Sequence, residues 1–261
     1  KVGAPLRELT LNEARAYAVF ANGRLTDHRF AVSLVCDELP DLRFNRVYVL
    51  EPANLTRESL EEVSRDFFSV RLPLRMDIFL PLPAETQSLL ERKGFELTED
   101  YASEMVLEKV STALKRNRAV RVERLGERSL DAFSNILLKA FDTPSDMVAT
   151  VVSIFRHTVP RALEHRGAVL YLAFLGSEPV GTLYLFSKGS VGGLYNLAVK
   201  QSARRQGVAT TLMLHAIEDS QAAGNTTLCV QTRVGSFQER FFERLGFRTV
   251  ARRKRAVQKQ A

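Results

Sequence analysis

The stretch "RRQGVATTLM" at residues 204–213 sets two arginines and a glutamine ahead of a glycine, a valine, an alanine and an apolar run. The charge at its start points to an anion. The small residues point to a ligand that comes close to the backbone. A strand-like run, "VGGLYNLAV" at 191–199, leads into it, and residues from 208 onward carry helical periodicity. A strand, a loop and the first turn of a helix present unpaired N–H groups with partial positive charge. Such a terminus takes phosphate. Gly207 and Ala209 keep bulky side chains away, and Arg204 and Arg205 add charge-assisted bonds. A pyrophosphate fits this design. The loop lacks the G-x-x-x-x-G-K-[ST] pattern, and Gly192-Gly193 lies inside the preceding strand without completing G-x-G-x-x-G.

Working outward, the chain carries an internal echo. "LLERKGF" at 89–95 and "FFERLGF" at 241–247 share two apolar residues, Glu-Arg, one residue, then Gly-Phe. At the same offset "FNRVYVLE" (44–51) falls over "NLAVKQSA" (196–203), and "TRESLEEVSRDFFS" (56–69) over "VATTLMLHAIEDSQ" (208–221). The first pair reads as strands and the second as amphipathic helices. "RMDIFL" (75–80) and "LCVQTR" (228–233) read as short strands. Gly94 and Gly246 take the position just past a helix, where a left-handed residue is needed. The polar stretch 107–118 is the expected boundary. Beyond it, strands are expected at 119–125, 168–176, 179–187 and 191–199, and helices at 128–141 and 146–158, the latter with Ser145 as N-cap. The pattern predicts an α/β (α+β) chain whose second half has a mostly antiparallel front and a helical crossover later.

Strand "LYNLAV", then R-x-x-G-x-A as Arg204-Arg205-Gln206-Gly207-Val208-Ala209, an apolar helix, a strand and "FFERLGF" together resemble the GCN5-related N-acetyltransferases (GNAT) over residues 119–250. The resemblance implies two GNAT-like domains, each a mixed, mostly antiparallel twisted sheet flanked by helices. A degenerate N-terminal copy would span 1–110, and an acetyltransferase domain 118–256. It also implies an acyl-coenzyme A-dependent N-acyltransferase using acetyl-coenzyme A and no metal. The strand at 191–199 would splay from its neighbour, so that Leu197, Ala198 and Val199 track the pantetheine arm. Arg204, Arg205, Gln206, Gly207, Val208, Ala209 and Thr210 would hold the pyrophosphate. A backbone N–H near Leu197 would polarise the acyl carbonyl. A small-molecule or protein amine would attack the thioester directly, and a homodimer is compatible with the family. In the first half, "LEPANLT" at 50–56 stands where the loop should be. It has no glycine or arginine and includes a proline, so no coenzyme A site is expected there.

Proton handling is less legible. Many members of the family carry a tyrosine acid just before the Glu-x-x-Gly-Phe element; Phe242 stands here, and Gly235 occupies the place of a frequent asparagine. Tyr195 and Asn196 lie on the strand that should face the acyl group, and alternation gives only one of them the substrate side. Tyr195 reads more readily as a half-buried strand aromatic. His157, His165 and His215 read as surface or capping residues, and Glu178 as a solvated turn residue. No catalytic residue is assigned. Phe242 leaves open a non-catalytic acyl-coenzyme A-binding or regulatory module.

The net charge of +7 and pI near 9.6 suit anionic ligands. The densest basic run, "RRKR" at 252–255, reads as a solvated tail. Without tryptophan, and with its aromatics in apolar runs, the chain gives no pattern for specific nucleic-acid binding. Cys36 and Cys229 read as reduced, buried thiols. With no apolar run of spanning length and no visible signal peptide, a cytoplasmic protein without a membrane role is expected.

Overall fold

The computed structural model describes residues 5–39 and 41–259. In chain order the elements are α1 (Leu6–Ala21), β1 (Arg24–Asp27), β2 (Ala31–Val35), β3 (Arg46–Val49), α2 (Arg57–Arg65), β4 (Arg75–Phe79), α3 (Ala84–Arg92) and β5 (Phe95–Leu107). There follow β6 (Val120–Arg124), α4 (Leu130–Ala140), α5 (Ser145–Glu164), β7 (Ala168–Leu175), β8 (Glu178–Lys188), β9 (Val191–Val199), α6 (Val208–Ala222), β10 (Thr227–Arg233), α7 (Phe237–Leu245) and β11 (Phe247–Gln258). This is a mixed α/β fold. The chain forms two compact units, one of residues 1–106, 231–243 and 248–261, the other of residues 107–230 and 244–247.

In the first unit the strand order is β1-β2-β3-β4-β11-β5. The pairs β1–β2, β2–β3 and β4–β11 are antiparallel, while β3 and β4 are parallel and joined through α2. Alternation sends Ala31, Val35, Val47, Val49, Met76 and Ile78 into one core with Leu60 and Val63 of α2 and Leu90 of α3. At the alternate positions β3 and β4 carry Arg46, Tyr48, Arg75 and Asp77, and all four are buried.

Those residues form a buried charge layer. Arg46 donates to Asp77 and to Glu13 of α1, each at 2.9 Å, and Arg75 donates to Asp77. The Arg46 guanidinium also lies 4.7 Å from the centre of the Tyr48 ring. Arg253, only 2% exposed, donates to Glu13 at 2.8 Å and lies 3.5 Å from a Glu104 oxygen. Here the structure corrects the sequence reading: "RRKR" is part of β11 and not a solvated tail. A basic run carries no register information. The β11–β4 ladder, which sets Arg253 opposite Phe79 and Arg255 opposite Asp77, supplies it. Residues 231–243 and 248–256, expected within a second domain of 118–256, lie in the first unit.

In the second unit the strand order is β10-β9-β8-β7-β6. The pairs from β6 to β9 are antiparallel, and β9 and β10 are parallel, joined by α6. Gly94 and Gly246 both have positive φ, at 79° and 108°. A side chain at Gly246 would run into the Lys109 carbonyl, so both conformation and space demand glycine there. α5 differs from its expectation. Pro144 precedes it with ψ 135°, Ser145 is its first helical residue, and among the described residues no side chain caps it. The helix also runs through Pro160 to Glu164, because burial of Val159 and Ala162 favours continuation past the proline.

Candidate functional site

The site of interest is the exit of β9 and the start of α6. On the β8 side β9 is paired to its end, with Gly181 opposite Val199 and Thr182 opposite Ala198. The register then shifts: Tyr184 faces Tyr195, so two residues of β9, Asn196 and Leu197, stand against Leu183 alone. This is a bulge. Asn196 sits in it with φ 54°, and its carbonyl accepts from the Thr182 hydroxyl at 3.0 Å. On the β10 side the ladder runs from Thr227↔Val191 to Cys229↔Gly193 and stops. The β9 edge from Leu194 to Val199 lies beyond that ladder, where the family resemblance implies a splayed strand.

The chain then makes a short turn at Gln201–Ala203 and enters α6. Arg205 has φ 62° and Gly207 has φ 73°. Left-handed residues so close together give the backbone geometry of anion-binding concavities. The first intrahelical bond is Thr211 N–H to the Gly207 carbonyl at 2.9 Å, so the N–H groups of residues 208–210 precede the helical ladder. Arg204, Arg205 and Gln206 are exposed, and Gln206 Nε2 donates to the Ser202 carbonyl at 3.0 Å.

One residue that the sequence reading passed over fixes this loop. Asn117 Nδ2 donates to the Gln206 carbonyl at 2.8 Å, and its own N–H donates to Thr211 Oγ1 at 2.9 Å. A Cβ on Gly207 would lie 3.2 Å from the Asn117 Cβ. Asn117 falls in a polar stretch with no periodicity, so no local signal marks it. Behind the helix, Gly181 brings β8 against Val208 and Leu212, leaving no room for a side chain.

A cavity of about 980 Å³ opens beside the end of β9. Its lining combines one face of α4 with Asp142, Pro179 and residues of the β9–α6 connection, including Val199, Lys200 and Arg204. Lys200 is held by Glu178 at 3.0 Å.

The other candidates are placed as follows. Tyr195 is 4% exposed, beyond the half-buried position expected, with its ring 6.1 Å from Tyr184. Asn196 is also buried, and among the described residues its Nδ2 has no hydrogen-bond partner. Phe242 is buried in α7. His157 is exposed, and His165 Nδ1 accepts from the Gly167 N–H at 3.1 Å. His215 lies 5.4 Å from the Tyr171 ring and 4.0 Å from the Asp219 carboxylate, which itself accepts from the Tyr171 hydroxyl at 2.7 Å. Burial, together with that carboxylate, pushes the Tyr171 phenol up, away from proton transfer at neutral pH. Cys36 is buried and its thiol is pushed up to about 12 by desolvation; Cys229 is buried too. Among the described residues no group of three metal-ligating side chains converges, and no helix is long and apolar enough to cross a membrane.

Residues 131–247 match the model of the acetyltransferase (GNAT) family. A GCN5-related N-acetyltransferase from Kribbella flavida is similar at a TM-score of 0.69 with 16% identity, over 97% of this chain and 96% of its own. A conserved protein of unknown function from Staphylococcus epidermidis gives 0.69 with 10% identity, over 93% and 96%. A GCN5-related N-acetyltransferase from Sphaerobacter thermophilus gives 0.59 with 12% identity, over 90% and 75%. No curated protein matches the chain. The bulged, splayed strand and the loop after it thus fall within a segment that matches the GNAT family, on a mixed α/β fold shared with solved GCN5-related N-acetyltransferases.

Proposed function

We propose that this protein is an acyl-coenzyme A-dependent N-acyltransferase that moves acetyl from acetyl-coenzyme A to an amine. The observation that carries the reading is the end of the β9–β10 ladder at Gly193, followed within the same strand and loop by the left-handed Arg205 and Gly207 at the start of α6. Leu197, Ala198 and Val199 would take the pantetheine arm, and residues 204–210 the pyrophosphate. The residues fit that group: the α6 N-terminus offers N–H donors, and Arg204 and Arg205 are exposed cations beside it.

The thioester supplies an activated acyl carbon. The amine nitrogen forms a bond to it as the C–S bond breaks. An attacking ammonium gives up two protons on becoming an amide; one ends on the departing thiolate and one in solvent. A buried Phe242 donates neither, so water carries these protons in this reading, with Tyr195 and Asn196 as the strand residues nearest the expected acyl position.

The first unit reads as a degenerate copy of the second. Each has an antiparallel strand pair leading into a parallel one through a helix, β2-β3-α2-β4 in one and β8-β9-α6-β10 in the other. In the first copy a capping box fills the helix start: Thr56 Oγ1 accepts from the Ser59 N–H, and Ser59 Oγ accepts from the Thr56 N–H. Donors used in this way are not free for a pyrophosphate, so one cofactor per chain follows. A cytoplasmic setting, with coenzyme A and a small or protein amine as partners, completes the reading.

Calorimetric titration with acetyl-coenzyme A, coenzyme A and ATP tests it, followed by thiol release with an amine panel. One acetyl-coenzyme A bound per chain, ATP far weaker and turnover with an amine is the expected result. Binding without turnover on any amine would favour the second reading that Phe242 motivates, a non-catalytic acyl-coenzyme A-binding module. No binding would sink both.

A further inference from the structure

The cavity beside the end of β9 has two walls of different chemistry. One is the connection into α6, including Arg204, which the proposed function gives to the cofactor. The other is a single face of α4: Ala132, Asn135, Ile136 and Lys139 stand at i, i+3, i+4 and i+7 and all line the cavity. Asn135 and Lys139 are one turn apart and exposed, so an amide and an ammonium follow each other along that wall over an apolar floor from Ile136.

The charge balance of the lining is specific. Lys200 is held by Glu178 at 3.0 Å. Among the described residues neither the Lys139 nor the Arg204 side chain has an ion-pair partner, and Asp142 is the acid of the lining. With Arg204 given to the cofactor, Lys139 is the unpaired cation on the α4 wall, and Asp142 is the one acid near it in the lining. Part of what Lys139 does is met by its place in the last turn of α4, where a cation offsets the partial negative charge of the helix end. That role needs no neighbouring amide and no cavity. Asn135 beside it gives a donor pair suited to an oxyanion. The volume of about 980 Å³ suits a small molecule more than an extended chain.

We propose that this cavity receives the acceptor, and that the acceptor is a small amine carrying an anionic group, carboxylate or phosphate, held by Lys139 with Asn135. The inference rests on the acyltransferase reading and names its substrate class. Attack by the free amine end on the thioester then proceeds with the proton balance given above, while the anionic end stays on α4.

The test compares amines that differ only in the anion: 4-aminobutyrate against butylamine, and phosphoethanolamine against ethanolamine, at constant ionic strength, in the parent, Lys139→Ala, Lys139→Glu and Lys139→Arg. The expected result is better use of the anionic member of a pair. Lys139→Ala should raise its KM about tenfold or more while leaving the neutral amine unchanged, Lys139→Glu should reverse the preference, and Lys139→Arg should restore it. Calorimetry of 4-aminobutyrate or phosphoethanolamine on the coenzyme A-loaded chain should show the same loss without turnover. Acetyl-coenzyme A affinity should be equal in the parent and Lys139→Ala. A weaker affinity in the variant would assign the cavity to the cofactor's own phosphates and overturn the proposal. So would equal effects on charged and neutral amines, or no acetylation of either anionic amine by a chain that binds acetyl-coenzyme A. A parent that binds no acetyl-coenzyme A would instead fail at the earlier step, the acyltransferase reading itself.

Discussion

Arg253 and Glu13 are 240 residues apart in the chain, and the arginine Nη1 lies 2.8 Å from the glutamate Oε2, both side chains almost wholly buried. β11 is therefore tied to α1 inside one compact unit. Removing one partner of a buried pair costs far more than the pair contributes, because the remaining charge stays in a poor solvent. Arg253→Ala leaves Glu13 facing Arg46 alone and Glu104 without its nearest cation. A loss of about 3–5 kcal/mol is expected in urea unfolding. Arg253→Met, which fills the space, should lose nearly as much, since the acids are still unpaired; a loss under about 1 kcal/mol would mean that water reaches the layer.

Glu104 should make the unit sensitive to mild alkali. Burial raises its carboxyl to about 7, against the pull of Arg253. A carboxyl with a folded pKa above its unfolded value binds its proton more tightly when folded. Its contribution to stability is thus fully present below the ordinary carboxylate range and is lost as pH rises through about 7. Glu104→Gln, which keeps the partnership with Gln231, should flatten the fall in Tm between pH 5 and pH 8. An unchanged slope would show that the carboxyl titrates normally.

Asp77 works in the opposite direction. Burial pushes its carboxyl up, but Arg75, Arg46, Arg253 and Arg255 outweigh that and hold it well below the usual range. The stability it contributes is present above the unfolded carboxylate pKa and is lost as pH falls through the folded one. Acid unfolding of the parent should therefore be steeper below pH 4 than that of Asp77→Asn, whose stability should be lower throughout at neutral pH.

Asn117 should matter to the cofactor without touching it. Its bonds to the Gln206 carbonyl and Thr211 hydroxyl hold the loop in shape. Asn117→Ala removes the first of them, worth about 1 kcal/mol, so acetyl-coenzyme A affinity should fall about fivefold with Tm nearly unchanged. Gly207→Glu should go further and abolish binding, since it adds a charge and a side chain where φ is 73°. Full affinity in a folded Gly207→Glu protein would rule out the loop as the pyrophosphate site.

Thr56→Ala should separate structure from function. It removes a capping bond from α2, at a cost of about 1 kcal/mol in unfolding, and should leave cofactor stoichiometry at one per chain. Two sites in the parent would show that the first unit is not degenerate.

Much of this was legible in the sequence because local rules carried it. Periodicity located β9 and α6, glycine at a left-handed position located Gly94 and Gly246, and the resemblance carried by strand, R-x-x-G-x-A and helix implied a splayed strand, whose ladder with β10 stops at Gly193. Other features had no local trace. "RRKR" has the composition of a solvated tail, and only pairing with β4 turns Arg253 inward, since register is a property of two strands and not of one. The helix expected at 146–158 runs on through Pro160 to Glu164, because burial of Val159 and Ala162 holds the turn around it. Asn117 meets the loop at Gln206 and Lys139 borders the cavity through segments brought together from far along the chain. The sequence by itself determined where the strand at 191–199, the loop after it and the helix from 208 lie, because these depend on conformation within a few residues. The tertiary structure alone decided which charges are buried, where the chain's last strand belongs and which side chains border the cavity, because each depends on contacts between residues that no local pattern relates.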